Sequence, residues 1–315
     1  TDGPEEQVYY NNAGTMMDRN LGATSATPGD IGALGLLYQW GRKDPFLGSS
    51  SISSDIEAKS TGTWPSAVST SSSCGTVSYV TANPTTFITA SSHPFDWHYS
   101  SRDDSLWTTS DKAKSIYDPC PSGWRVSDGG SNGVWSQAGF DDKTYASTID
   151  GMSFSISSPS TTWYPASGYR YYRDGSLSNV GFSGRYWSAS PSSNNAYGLS
   201  FHNGYFGPSS NLYRADGQAV RCVKEGSQSS GDQPLASSAS DLGTDGTANS
   251  YIVSKSGTYK FKPVKGNSST SVGSVSSVEV LWESFGTDVT PNVGDLIKTV
   301  NYDAGYVVFA TPATF

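Results

Sequence analysis

Short runs in which apolar and polar residues alternate dominate the hydrophobic pattern of this 315-residue chain. Alternation with a period of two is typical of β-strands that bury one face. It predicts strands over residues 151–156, 163–172, 185–190, 197–201 and 219–224. The alternating positions Trp187, Leu199 and Phe201 are expected in the core. Asp174 and Gly175 predict a hairpin turn, because both tolerate the backbone angles of tight turns.

Helical periodicity is confined to two places. Asp30 is a suitable N-cap, and the apolar residues after it recur every three to four positions, which predicts an amphipathic helix near 31–42. A weaker pattern predicts a second helix over 131–138. Few helices, several strands and long loops together predict a first domain of the α+β class over residues 1–225.

The composition changes after this domain. Residues 226–247 consist largely of Ser, Gly, Asp and Gln, which is typical of a linker. From 248 to 315 the chain again alternates, and short strands are predicted at 251–253, 258–261, 278–282, 296–300 and 306–309. This spacing predicts an antiparallel β-sandwich. Because the chain stops shortly after the last run, we expect this second module to be partial and truncated at its C-terminus.

The negative net charge of the chain argues against a polyanionic partner. The chain has 20 Lys and Arg residues against 28 Asp and Glu residues, a formal net charge of −8, so nucleic acid is not an expected partner. No run approaches the roughly 18 apolar residues that a membrane helix needs. We therefore expect no membrane span in this fragment.

Three cysteines are present. Cys120 lies in a rigid turn between two prolines, whereas Cys222 lies in a predicted strand. A structural disulfide between them is the favoured interpretation in an oxidising compartment, and two buried free thiols are the alternative. Cys74 is then left without an assigned partner.

The residues offer little support for catalysis or a cofactor. His93, His98 and His202 lie in loops or turns without a neighbouring nucleophile motif, so surface or packing roles are favoured. The oxygen-rich segment 127–132 could bind calcium, but it lacks the spacing and the closing Glu of an EF-hand loop, and helix capping is favoured. No enzyme activity and no cofactor are predicted.

The stretch 169–214 is rich in aromatic and amide side chains, which suit a sugar-binding surface. Rings provide flat apolar platforms, and amides hydrogen-bond hydroxyl groups. Its loop positions are the predicted ligand-binding residues, namely Asn194, Asn195, Tyr205 and Arg214.

Five sequence motifs, in order, resemble the Fibrobacter-type major paralogous domain. They are residues 40–46 (WGRKDPF), 117–126 (YDPCPSGWRV), 168–170 (GYR), 186–188 (YWS) and 220–223 (VRCV). The resemblance implies a C-type-lectin-like fold with long loops, on a surface protein of Bacteroidetes. It implies no catalytic residues, and the motifs by which such lectins bind sugar through calcium are absent.

Four further motifs resemble a module of Bacteroides fimbrial and surface proteins. They are residues 248–260 (ANSYIVSKSGTYK), 264–267 (VKGN), 278–284 (VEVLWES) and 305–312 (GYVVFATP). The two resemblances together imply an extracellular, fimbria-associated or outer-membrane-attached adhesin. Its expected partners are a glycan or another ligand on host or bacterial surfaces, and other fimbrial subunits. The alternatives are a structural stalk or assembly subunit that binds no glycan, and accessory domains of a secreted glycan-degrading protein.

Overall fold

The computed structural model describes residues 4–56, 66–99, 102–108, 113–140, 142–227, 236, 239–243, 250–266, 268–273, 275, 278, 296–297 and 299–311. Strands account for 36% and helices for 7% of the structure, with two short α-helices. The chain is therefore β-rich, and the predicted α+β class is wrong. It divides into two compact units, Thr1–Gln228 and Ser229–Phe315.

The predicted helix near 31–42 does not form. Asp30 does cap a helical turn, since its side chain accepts a hydrogen bond from Gly32 N at 3.0 Å, but the turn is a 3-10 helix of three residues, Ile31–Ala33. Gly35 then adopts a φ of +71°, a conformation that ends the helix. The following residues, Leu37–Gln39, form a strand instead.

The helices that do form are short. The prediction over 131–138 corresponds to the five-residue α2, Val134–Ala138. The other, α1, spans Val77–Ala82 and begins at Thr76, whose hydroxyl accepts a hydrogen bond from Tyr79 N. The sequence pattern did not predict α1.

The strands of the first unit are mostly short. In chain order they are β1 (Glu6–Val8), β2 (Thr15–Met17), β3 (Leu37–Gln39), β4 (Ala67–Ser69), β5 (Phe87–Thr89), β6 (Trp124–Val126), β7 (Lys143–Ala146), β8 (Gly151–Ser155), β9 (Thr161–Pro165), β10 (Tyr169–Arg170), β11 (Leu177–Ser178), β12 (Ser183–Ser192), β13 (Asn195–His202), β14 (Tyr205–Leu212), β15 (Gly217–Ala219) and β16 (Cys222–Lys224).

The largest sheet has seven strands in the order β11-β10-β15-β12-β13-β14, with β3 also paired to β15. Its longest members, β12, β13 and β14, form an antiparallel meander. A four-stranded sheet (β1-β2-β16-β6), a three-stranded sheet (β7-β8-β9) and the parallel pair β4-β5 accompany it. The predicted Asp174–Gly175 turn is confirmed, because it joins β10 to β11 and Gly175 has a φ of +76°.

Aromatic side chains fill the core on both faces of β12. Tyr186 belongs to one buried cluster together with Leu199 and Phe201, whereas its neighbour Trp187 belongs to a second cluster. Successive side chains of a strand point to opposite faces, so the sheet is covered on both sides. The predicted burial of Trp187, Leu199 and Phe201 is confirmed.

The predicted disulfide between Cys120 and Cys222 is confirmed. Cys222 opens β16 opposite Val126 of β6, and Cys120 lies in the turn just before β6. The side chain of Asp118 accepts hydrogen bonds from Cys120 N and Val126 N, both at 2.8 Å, and so holds this turn against the strand. Cys74 is a free cysteine.

The second unit contains one four-stranded sheet among its described residues. Its strands are β17 (Ser240–Asp241), β18 (Thr258–Phe261), β19 (Thr299–Asp303) and β20 (Tyr306–Ala310), in the order β17-β18-β20-β19. The strands predicted at 258–261 and 306–309 are confirmed, and the one predicted at 296–300 begins later. Residues 251–253 form no strand, and apart from Val278 the strand predicted at 278–282 lies outside the described residues. No helix in the described ranges is long and apolar enough to cross a membrane.

Candidate functional site

An open cleft of about 370 Å³ lies at one end of the β12–β13–β14 meander. The turn between β12 and β13 forms one side, and the loop that contains the cis peptide bond His93–Pro94 forms another. All nine lining residues lack a carboxylate, an ammonium or a guanidinium group: His93, Pro94, Phe95, Ser192, Ser193, Asn194, Asn195, Asn211 and Tyr213.

Two aromatic rings line the cleft, and a third, that of Tyr172, packs behind them. The ring of Phe95 lies 4.8 Å from that of Tyr213 and 4.9 Å from that of Tyr172, measured between centroids, and the two tyrosine rings lie 5.2 Å apart. Such spacings are typical of packed aromatic pairs. Tyr213 nevertheless remains 38% exposed, so the cluster presents a preformed ring to solvent.

Amide side chains provide hydrogen-bonding groups beside these rings. The hydroxyl of Ser192 donates to Asn211 Oδ1 at 2.5 Å. Among the described residues, the side chain of Asn194 makes long contacts, with its Nδ2 3.4 Å from His93 Nε2 and its Oδ1 3.5 Å from Arg102 Nη1. Hydrogen bonds at such distances are weak, so a ligand hydroxyl can replace them at small cost.

Arg214 lies beneath the cleft rather than in it, because its side chain is only 1% exposed. Its guanidinium lies over the Trp40 ring at 4.2 Å and pairs with Asp104 Oδ1 at 2.6 Å. It also donates to the carbonyl oxygens of Asn195 at 3.0 Å and of Ser193 at 3.3 Å. A buried charge with this many partners fixes the loops that line the cleft. We therefore assign Arg214 a positioning role and no direct ligand contact.

A second carboxyl group lies close to this arginine. Asp96, next to Phe95, is 4.0 Å from Arg214 and accepts a hydrogen bond from His98 N. Burial raises the pKa of Asp96, while the hydrogen bond and the Arg214 charge act in the opposite direction. The Phe95 carbonyl in turn accepts a hydrogen bond from Ala215 N, which ties the 93–97 loop to the residue after Arg214.

Tyr205 lies at the opposite end of the same strands. Its register partner is His202, at the far end of β13 from Asn195. Its ring stacks on that of His202 at 5.1 Å, and His202 stacks on Phe182 at 5.3 Å. Eight residues of strand span roughly 25 Å, so the four predicted residues do not form one site. Asn194 and Asn195 line the cleft, Arg214 supports it, and Tyr205 belongs to a separate exposed stack.

The cleft contains residues that the sequence reasoning did not select. Asn211 and Tyr213 lie within the aromatic and amide-rich stretch, so that composition was a usable signal for them. His93 and Phe95 come from a loop about 100 residues earlier, and no local pattern links that loop to the meander.

The segment 127–132 does not cap helix α2 with a side chain. Helix α2 begins after Gly133 without a side-chain cap, so the predicted capping by this segment is wrong. The carboxylate of Asp128 instead forms a two-pronged pair with Arg125 at 3.0 and 2.8 Å. Across the part of the chain that the structure describes, no cluster of three His, Cys, Asp or Glu residues could hold a metal ion.

Comparisons with protein-family models, with curated proteins and with solved structures give no match to this chain.

Proposed function

We propose that this chain is a non-catalytic carbohydrate-binding protein that works outside the cell and binds a glycan in the cleft. The observation that supports this best is the combination of a preformed aromatic cluster with amide and hydroxyl groups in one open cleft. A sugar ring presents C–H groups on its faces and hydroxyl groups around its edge, and this combination serves both.

Two further observations favour an extracellular role. The Cys120–Cys222 disulfide is typical of proteins that fold in an oxidising compartment. The motif resemblance to the Fibrobacter-type major paralogous domain supports adhesion at the surface of a Bacteroidetes cell, with fimbrial subunits as further partners. The competing function is a structural stalk, which needs no glycan at all.

A pair of tyrosine variants tests the proposal. We expect the full chain to bind glycans on an array, and Tyr213→Ala to weaken the best hit about three- to tenfold, because the exposed ring of the cleft is lost. Tyr205→Ala is the matched control, since it removes a ring that is 45% exposed at the other end of the strands. Isothermal titration measures both affinities, and thermal unfolding shows whether each variant is folded.

The outcomes separate the alternatives. An array without hits favours the stalk. Loss of affinity in Tyr205→Ala, with normal affinity in Tyr213→Ala, would place the binding site at the Phe182–His202–Tyr205 stack instead of the cleft.

A further inference from the structure

We propose that the cleft selects glycans that end in a sugar carrying a carboxylate, such as a uronic or sialic acid, and that Arg102 binds this carboxylate. This inference rests on the proposed function and names the class of ligand for the same cleft. It is carried by the position of Arg102 and by the distribution of charge around it.

Arg102 lies at the rim of the cleft with its side chain 41% exposed. Its Nε pairs with Asp104, 3.0 Å from Oδ1 and 3.2 Å from Oδ2. Its Nη1 lies 3.5 Å from Oδ1 of Asn194, a lining residue. The guanidinium is thus held by its Nε, and its Nη1 lies beside a residue that lines the cleft.

Arg102 shares the Asp104 carboxylate with a second guanidinium group, which also lies 4.0 Å from the carboxylate of Asp96. The second is that of Arg214, whose Nη2 lies 2.6 Å from Asp104 Oδ1. The neighbouring Asp103 directs its side chain to Ser105, accepting from the backbone N at 2.9 Å and from the hydroxyl at 2.7 Å. Asp96, another carboxyl group near the cleft, is buried.

An anionic sugar would therefore find a cation at the rim and no carboxylate in the lining. Guanidinium groups bind carboxylates in two-pronged, charge-assisted pairs, which are stronger than hydrogen bonds between neutral groups. With the carboxylate at Arg102, the Asn194 amide lies beside the sugar, and Tyr213 and Phe95 provide the apolar contact.

The net charge of −8 is compatible with this ligand. At physiological ionic strength the screening length is about 8 Å, so a single carboxylate at the rim responds mainly to the charges next to it. A densely charged polyanion extends over more of the acidic surface and is repelled. The inference is therefore for a terminal acidic sugar and excludes sulfated polysaccharides.

Two ligands that differ at one carbon provide the test. The full chain is titrated with methyl glucuronide and with methyl glucoside, followed by NMR, and is applied to an array that carries matched sialylated and desialylated glycans. We expect the acidic member of each pair to bind about tenfold more tightly. This preference should decrease as salt is added, because it depends on an exposed charge.

Substitutions at Arg102 then assign the preference to one residue. Arg102→Gln should lower affinity for the acidic ligand about tenfold more than affinity for the neutral ligand, whereas Arg102→Lys should retain part of the preference. Lys224→Gln is the control, because it removes one positive charge from an exposed pair with Glu6 in the sheet β1-β2-β16-β6. It should change neither affinity.

Each result has a definite meaning. Tighter binding of the neutral sugar, or a preference for the acidic sugar that survives Arg102→Gln, overturns the inference and leaves carbohydrate binding in place. Absence of binding to every glycan overturns the proposed function, and the inference with it.

Discussion

Asp216 is a buried carboxyl group that couples the central sheet to the cleft. Its Oδ1 accepts a hydrogen bond from Tyr172 N at 2.9 Å, its Oδ2 lies 3.3 Å from Gln218 Nε2, and its own N donates to Tyr213 O. Burial raises the pKa of Asp216 to about 7, although Arg185, with Nη1 3.8 Å from Oδ2, lowers it. Tyr172 packs against the cleft residues Phe95 and Tyr213.

Burial and the polar groups around this carboxyl group act on its pKa in opposite directions. Oε1 of Gln218 is buried without a hydrogen-bond partner among the described residues. The hydrogen bonds from Tyr172 N and Gln218 Nε2 and the charge of Arg185 favour the ionised carboxylate, and burial outweighs them.

The sign of the resulting pH dependence follows from linkage. A carboxyl group with a raised pKa in the folded state binds more protons when folded than when unfolded. Its contribution to stability is complete below the unfolded pKa near 4 and is lost as pH rises to about 7. We predict that, as pH rises between these two pKa values, ionisation of Asp216 lowers the free energy of unfolding by at most about 1.4 kcal/mol per pH unit.

Urea unfolding at pH 5 and pH 8 measures this effect. Asp216→Asn should unfold at more nearly equal urea concentrations at the two pH values than the parent protein does, because Asn keeps the acceptor for Tyr172 and does not ionise. Burial also raises the pKa of Asp118, to about 6. Asp118 is present in both proteins, so it adds the same pH dependence of stability to each. If stability changes equally between pH 5 and pH 8 in the two proteins, Asp216 is already ionised in the folded state at pH 5.

The sequence could indicate the chemistry of single residues but not their placement. Asn194, Tyr205 and Arg214 share the polar or aromatic character that predicted ligand binding. Only the register of β13 and β14 separates Tyr205 from Asn194 by the length of a strand. Burial of Arg214 depends on Trp40 and Asp104, which are more than 100 residues away in the chain. Such contacts are set by the tertiary fold and leave no local signal.

Strands and turns could be predicted where a local pattern determined them. The alternation in β12 and β13 and the Asp174–Gly175 turn both depend on residues close in sequence. The prediction of a helix near 31–42 was wrong because the apolar spacing there is compatible both with a helix and with a short turn followed by a strand. In the structure Gly35 has a φ of +71°, which ends the helical turn, and Leu37–Gln39 pairs with β15.

The disulfide links the turn before β6 to strand β16, and its contribution to stability can be measured. It joins residues 102 positions apart. In the chain-entropy description, closing a loop of this length destabilises the unfolded state by about 4 to 5 kcal/mol. We predict that replacing Cys120 and Cys222 together by Ala lowers the free energy of unfolding by about this amount.

Cys74→Ala provides the matched control for this substitution. It removes a free thiol that is only partly buried, so stability should change little. Denaturant unfolding of the two variants, with mass spectrometry of the parent protein to verify the pairing, gives the comparison. A double variant as stable as Cys74→Ala would show that the bond adds no constraint beyond the packing around it.

At the scale of the whole molecule, the unit Thr1–Gln228 contains everything that the cleft requires. Both large apolar clusters consist of residues from this unit, and so do both ends of the disulfide. The described residues of Ser229–Phe315 form their own small sheet, with Val308 buried. A fragment with its own core and cross-link is expected to fold cooperatively without the rest of the chain.

We therefore predict that a fragment of residues 1–228 unfolds in a single transition, at the temperature at which the same unit unfolds in the full chain. It should also bind the ligands of the full chain with unchanged affinity, because all nine lining residues and the supporting Arg214 are retained. Calorimetry and isothermal titration of the fragment and the full chain test the two statements separately. A fragment that folds but binds more weakly would mean that residues after 228 contribute to the ligand site. A fragment that does not fold would show that the stability of the first unit depends on the second.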